Sequence, residues 1–286
     1  MDTLISIIVL GAIWGSLYSL IAVGFTLIFG VAGIINLSHG AFYMLGAYLA
    51  YTFMTLLYIN VLVAALMAVA GTAIIGMLID RFGIRPMRER HVYVLIITLA
   101  FSWFFQELMY AFYGPHGKHV KSFITGSMTL GNVPVSYQKA LTFVVSGALV
   151  TLLWFFIKKT RTGKSISAVA QNREAAVYVG IQPERVYLIT MGISASLAAV
   201  AGVFIAPILE AVPTMWVFPL FKGFAVVIIG GLGSIEGAII AGMLLGYSET
   251  LVSVLISANY PDMVYLLAII FVLVLRPRGL LGKRAH

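Results

Sequence analysis

No Asp, Glu, Lys or Arg occurs between Thr3 and Ile79. A run of that length without a charge has nothing to offer water, and the environment left to it is the hydrocarbon of a bilayer. There every backbone N–H and C=O must be satisfied inside the protein, so the spanning segments are helices or a closed barrel. Within the run, residues 24–40 read GFTLIFGVAGIINLSHG, an apolar stretch interrupted by Gly30, Gly33 and Gly40 and carrying Asn36, Ser38 and His39. Glycine-broken backbone at bilayer depth survives only when buried in protein or facing a watery cavity. The break is therefore expected to line a passage, with Asn36, Ser38, His39 and Gly40 in its wall.

The rest of the chain has the same character. Hydrophobic residues make up 61% and charged residues 10%, against about 25% charged in an ordinary soluble domain. Apolar windows fall near 4–29, 34–57, 61–79, 92–113, 139–157, 186–206, 219–233, 238–257 and 263–275. Their lengths predict an all-α polytopic membrane protein organised as one transmembrane domain over residues 1–286, with about eight to ten spans, some broken or re-entrant. The formal charge of +8 could suggest nucleic acid as a partner. However, the basic residues cluster in short segments after the third, fifth and last windows: Arg81, Arg85, Arg88 and Arg90; Lys158, Lys159, Arg161 and Lys164; Arg276, Arg278, Lys283 and Arg284. That is the positive-inside pattern, which places these segments in the cytoplasm, the N-terminus outside and the C-terminus inside. The loop from Gly114 to Gln138 is then outside, despite Lys118 and Lys121. The start Met1-Asp2-Thr3 lacks the basic region of a cleavable signal, so the first run is expected to remain as a span. With no cysteine, disulfide and thiol chemistry are excluded.

Small residues recur four apart at Gly11 and Gly15, Gly233 and Gly237, Gly242 and Gly246, and along Ser194, Ala198 and Gly202. This spacing predicts close helix packing. The segment 223–246, GFAVVIIGGLGSIEGAIIAGMLLG, resembles the stretch that opens at 24–40 in outline, as in transporters built from two related halves.

Candidate reactive groups are few. Glu249 lies in the middle of an apolar window, where an unpaired charge costs about 2.5 to 3.5 kcal/mol, so it should face the bundle or a cavity and either pair or touch solute. Glu236 and Lys222 are expected nearer an interface, and Gln106 and Glu107 toward an outer mouth. His39 reads as a hydrogen-bonded structural group in preference to a proton relay. His116 and His119 lack a third partner for a metal, and no metal site is expected. Gly163-Lys164-Ser165 mimics the end of a phosphate-binding loop, but Lys158 stands where the motif needs its first glycine. No catalytic constellation is visible, which argues against an enzyme.

The loop from about 158 to 185 contains a helical pattern in which Ile166, Val169, Ala170, Arg173, Ala176, Val177 and Gly180 share a face, and such a helix can lie along the membrane interface or dock in a groove on a cytoplasmic partner. Within it, Glu174-Ala175-Ala176 followed by Gly180 resembles the glutamate-alanine-alanine loop with which permeases of bacterial ABC importers contact their ATPases, although the Ile-x-Leu-Pro that often follows is absent. Together with NLSHGAFYMLGAY (36–48), GGLGSIEGAIIAGMLLG (230–246) and LRPRGLLGKR (275–284), it makes the chain similar to LivH-type permease subunits of the branched-chain amino acid ABC transporter family.

The resemblance implies a permease of the bacterial plasma (inner) membrane that forms half of a translocation path. Its partners would be a second related permease, two cytoplasmic ATP-binding subunits and an extracytoplasmic solute-binding protein. ATP would be used by the partners, with no cofactor bound by this chain. Glu174, Ala175, Ala176 and Gly180 would form the ATPase contact. The expected solutes are branched-chain or related neutral amino acids, with urea and short amides as alternatives in the same family. From the residues alone, an ion-coupled secondary transporter or channel for a small neutral solute remains the competing class.

Overall fold

The computed structural model describes residues 2–131, 133–276 and 279–282. Met1 and the basic-tail residues Arg278, Lys283 and Arg284, used in the signal and orientation arguments, lie outside the described residues. Among the described residues the helices are α1 (Asp2–Ala32), α2 (His39–Tyr51), α3 (Val61–Leu78), α4 (His91–Tyr113), α5 (Tyr137–Lys159), α6 (Arg161–Gln171), α7 (Arg173–Tyr178), α8 (Pro183–Leu209), α9 (Val217–Gly230), α10 (Ile235–Leu255) and α11 (Pro261–Leu275). Each of the nine apolar windows holds one of them. Six helices are long and apolar enough to cross a membrane: α1, α3 with its continuation to Met87, α4, α5, α8 and α10. Helices α9 and α11 are apolar but shorter, and α2 runs directly into a π-helical turn, Thr52–Leu56.

One feature departs from helix alone. The loop after α4 carries an antiparallel hairpin, β1 (Ser127–Leu130) with β2 (Val133–Ser136), in the register Ser127↔Ser136 to Leu130↔Val133. Gly131, at φ +64°, supplies the left-handed turn residue.

The chain forms two compact units. The first comprises residues 1–26, 122–150 and 221–286, and the second residues 27–121 and 151–220. In the first unit α1 and α10 meet at backbone distance through the small residues predicted to pack. A Cβ on Gly15 or Gly242 would meet backbone atoms of Met243 or Ser19, and Gly246 lies against Gly15. The Ser19 hydroxyl donates to the Gly15 carbonyl of its own helix at 2.8 Å and to the Ile239 carbonyl of α10 at 3.0 Å.

In the second unit α8 packs along both α2 and α3. Its small-residue face admits them: Gly46 of α2 abuts the Ala199 backbone, Gly202 abuts the Tyr43 carbonyl, and Gly76 of α3 abuts Ala195. Ser194, Ala195, Ala198, Ala199 and Val203 of α8 are fully buried. With lipid as apolar as leucine, such close approach through small residues is what holds membrane helices together.

The single amphipathic helix expected across 166–180 is corrected to two. Asn172, in an extended conformation at φ −157°, ends α6 and caps α7 by accepting from the Ala175 N–H at 2.9 Å. Asparagine competes for backbone hydrogen bonds in this way, and that breaks a helix whose apolar spacing alone would continue.

Candidate functional site

The break in the first glycine-rich stretch is a built structure. Helix α1 ends where Gly33 takes φ +66°, a conformation costly for any residue with a Cβ. The Asn36 side-chain oxygen then accepts from the Ser38 N–H at 3.0 Å and from the Ser38 hydroxyl at 2.6 Å, closing a local turn from which α2 begins. Asn36, Ser38 and His39 are 2%, 0% and 1% exposed. The Asn36 amide donates to Met191 Sδ at 3.4 Å, and Ser194 Oγ lies 3.2 Å from His39 Nδ1, both partners belonging to α8. Gly40 sits against the Trp216 carbonyl with no room for a side chain.

Two residues that sequence reasoning did not single out complete the break. Leu37 donates its N–H to Thr98 Oγ1 at 3.1 Å and accepts at its carbonyl from Ser102 Oγ at 3.1 Å. Thr98 and Ser102 are one turn apart on α4 and fully buried, so one helix face satisfies both orphaned backbone groups. The signal was available as two hydroxyl residues spaced four apart inside an apolar window. Nearby, Trp216 Nε1 donates to Gln106 Oε1 at 2.6 Å. Gln106 is buried, whereas Glu107 is exposed on α4.

A second break separates α9 from α10 and has the same local grammar. Gly231 and Gly233 adopt φ +101° and +81°, and the Ser234 hydroxyl caps α10 by accepting from the Gly237 N–H at 3.0 Å. Here the orphaned carbonyls are met by the chain's own ending: Leu280 and Leu281 donate to Ile229 and Gly230 at 2.8 and 3.0 Å.

Glu249 is paired within the first unit. Its Oε2 accepts from Tyr18 at 2.6 Å and from Lys222 Nζ at 2.7 Å, and Lys222 also lies 3.1 Å from Asp262. The Lys222 side chain, expected near an interface, is 4% exposed, and its partner Asp262 is 75% exposed. Glu249 Oε1 is buried without a hydrogen-bond partner.

In the loop, Glu174 and Ala175 are exposed and Ala176 is buried at 2%. Gly180, at φ +82°, turns the chain toward α8. Beyond Ala176 the face changes character: Val177, Tyr178 and Val179 are 52%, 89% and 75% exposed. Gly163 lies in the first turn of α6, packed on the Phe156 and Ile157 backbone, and the Gly163 and Lys164 N–H groups already donate to Thr160, so neither is offered to a phosphate. His119 Nδ1 is 3.1 Å from Glu210 Oε1.

A multi-pass helical bundle with glycine-broken, internally satisfied helices and a two-helix loop showing an apolar patch belongs to the class of membrane transport subunits. Residues 7–273 match the family described as branched-chain amino acid transport system, permease component, and the chain belongs to that family. It is 32% identical to the high-affinity branched-chain amino acid transport system permease LivH of Escherichia coli K12, over 96% of this chain and 94% of that protein. It is also 32% identical to the corresponding BraD permease of Pseudomonas aeruginosa, over 94% and 92%. Among solved structures, PsaBC from Streptococcus pneumoniae in complex with Fab shares the fold, with a TM-score of 0.54 at 13% identity, over 93% of this chain and 89% of that one.

Proposed function

We propose that this chain, acting as one permease domain, is the transmembrane subunit of an ATP-driven importer for branched-chain or related neutral amino acids in the bacterial plasma membrane. Family membership supports the class. The observation that carries the mechanism is the exposed apolar turn Val177-Tyr178-Val179 beside Glu174, in a loop flanked by spans. A patch of that kind in water calls for a partner, and a cytoplasmic ATP-binding subunit is the partner that an ATP-driven permease requires. The basic residues of the loop support its cytoplasmic placement, and with it an outside N-terminus and an inside C-terminus.

On this reading α7 is the docking helix. Asn172 and Gly180 are the two points where it can pivot, because each interrupts helical backbone. ATP-driven closure of the partner subunits displaces α7, and the bundle responds as a two-state element. The break at Asn36, Ser38, His39 and Gly40, enclosed by this chain's own helices, holds in shape the part of the path that this chain contributes beside a related second permease, and Glu249 holds its own part of the bundle. An extracytoplasmic binding protein delivers the solute.

The test is reconstitution of the complex in vesicles with Glu174→Ala and Gly180→Val. Both should hydrolyse ATP but import about tenfold less solute per ATP, within the range of coupling between linked sites. Unchanged coupling in both variants would refute the assignment of α7.

A further inference from the structure

Glu184, the second residue of α8, collects three guanidinium groups from separate parts of the second unit. Its Oε2 accepts from Arg88 at 2.8 Å and lies 3.1 Å from Arg85 Nε, and its Oε1 is 3.7 Å from Arg173, the first residue of α7. Arg88 also donates to Asp80 at 2.6 Å. Asp80 belongs to the π-helical segment Ile79–Ile84 that continues α3, and the Arg88 guanidinium lies over the Tyr187 ring of α8 at 4.1 Å.

The two ends of this array differ in kind. Asp80 and Arg88 are 3% and 7% exposed, and a buried, hydrogen-bonded pair cannot be opened cheaply, because the remaining charge would be stranded. Arg85 and Arg173 are 54% and 53% exposed and Glu184 is 36% exposed, beside a cleft of about 630 Å³ lined by these residues. Exposed ion pairs contribute only about 0 to 1 kcal/mol each, so they form and break readily. One end is fixed and the other can exchange. That is a poor staple but a workable latch.

We propose that Asp80, Arg88, Glu184 and Arg173 form a relay that transmits displacement of α7 to α8, and that Glu184 is its positioning residue. The proposal rests on the reading of α7 as the docking helix. Its output lies on the same rigid helix: Met191 and Ser194, about 10 and about 15 Å along α8 from Glu184 at 1.5 Å per residue, contact Asn36 and His39 at the break. A shift or rotation of α8 at its first turn therefore reaches the break through contacts already made. The exposed arm, Arg173 and Arg85, can be paired with Glu184 or released into the cleft, while Asp80 and Arg88 hold the other arm fixed, which gives the transmitting element its two arrangements.

The experiment compares wild type, Glu184→Ala, Glu184→Asp and Arg173→Ala in the full reconstituted complex, measuring solute imported per ATP hydrolysed and the yield of assembled complex. Glu184→Ala should assemble and hydrolyse ATP while importing about tenfold less per ATP. Glu184→Asp, which keeps the charge, should recover most of the ratio, and Arg173→Ala should shift it in the same direction as Glu184→Ala. An unchanged ratio in Glu184→Ala would overturn the relay, as would a fall explained by lost assembly. Coupling lost in Glu174→Ala but kept in Glu184→Ala would remove the relay and leave the function standing. Absence of ATP-driven uptake by the wild type would remove the functional reading and the relay with it.

Discussion

Replacement of Lys222 by Met tests whether the first unit is held by an ion pair or merely contains one. Lys222 Nζ and Glu249 Oε2 are 2.7 Å apart, with side chains 4% and 6% exposed. At an effective dielectric of about 20 the gross attraction at that separation is roughly 6 kcal/mol, and desolvation of both ions consumes most of it. The net worth of the intact pair is therefore small, but the cost of breaking it is not. Lys222→Met strands the Glu249 carboxylate, whose Oε1 already lacks a partner, leaving only the Tyr18 hydroxyl at 2.6 Å. The expected loss is about 3 to 5 kcal/mol. Glu249→Gln keeps an acceptor for Tyr18, and it leaves Lys222 beside Asp262 at 3.1 Å, a carboxylate that faces solvent. Its loss should be smaller, about 1 to 3 kcal/mol. The double variant Lys222→Met with Glu249→Met should recover most of the deficit, since an apolar pair of similar volume is often neutral. The assay is the thermal midpoint of the purified chain in detergent, read for all three variants alongside wild type. A Lys222→Met penalty no larger than that of Glu249→Gln, or a double variant no more stable than Lys222→Met alone, would refute the stranded-charge reasoning.

The break and the helix contacts make further predictions. Thr98→Val and Ser102→Ala should each lower stability by about 1 to 3 kcal/mol, because each orphans a Leu37 backbone group. The two losses should not add, as both act on one residue. Gly202→Val should cost at least about 1 to 3 kcal/mol by driving a side chain into the Tyr43 carbonyl. Gly147→Ala in α5, where a Cβ would meet nothing within 4 Å, is the control: it should be neutral or gain up to about 1 kcal/mol from helix propensity. Thermal midpoints and retained import in vesicles check both sets, and equal effects at Gly202 and Gly147 would show that packing is not the cause.

Spans were legible because hydrophobic length is a direct physical requirement of the bilayer. The small-residue faces of α1, α8 and α10 were legible because close packing demands small residues at fixed spacing. Pairings were less so: nothing in the spacing of Gly11, Gly15, Gly242 and Gly246 says that they face one another. Boundaries failed where side chains, and not hydropathy, stop a helix. The second window begins at residue 34 by hydropathy, but α2 begins at His39 because Gly33 and the Asn36 turn hold the preceding backbone out of helix. Asn172 splits the loop helix for a related reason. The partners of Glu249 were hidden because Tyr18 and Lys222 are far from it in sequence.

The two breaks solve one problem by different means, and the solution bears on what backbone of this kind can offer a solute. At Gly33–Ser38 the backbone is satisfied by hydroxyls of α4 and by Asn36 itself. At Gly231–Ser234 it is satisfied by Ser234 and by the returning backbone of Leu280 and Leu281. A satisfied polar group has little left to give a passing zwitterion, because binding it means exchanging one hydrogen bond for another at nearly equal free energy. Backbone satisfied in this way holds its shape and grips weakly. On the proposed reading of an importer fed by a binding protein that is an advantage: tight binding in the path would slow release, and discrimination would rest with the delivering protein, leaving the permease to answer mainly to displacement of its loop.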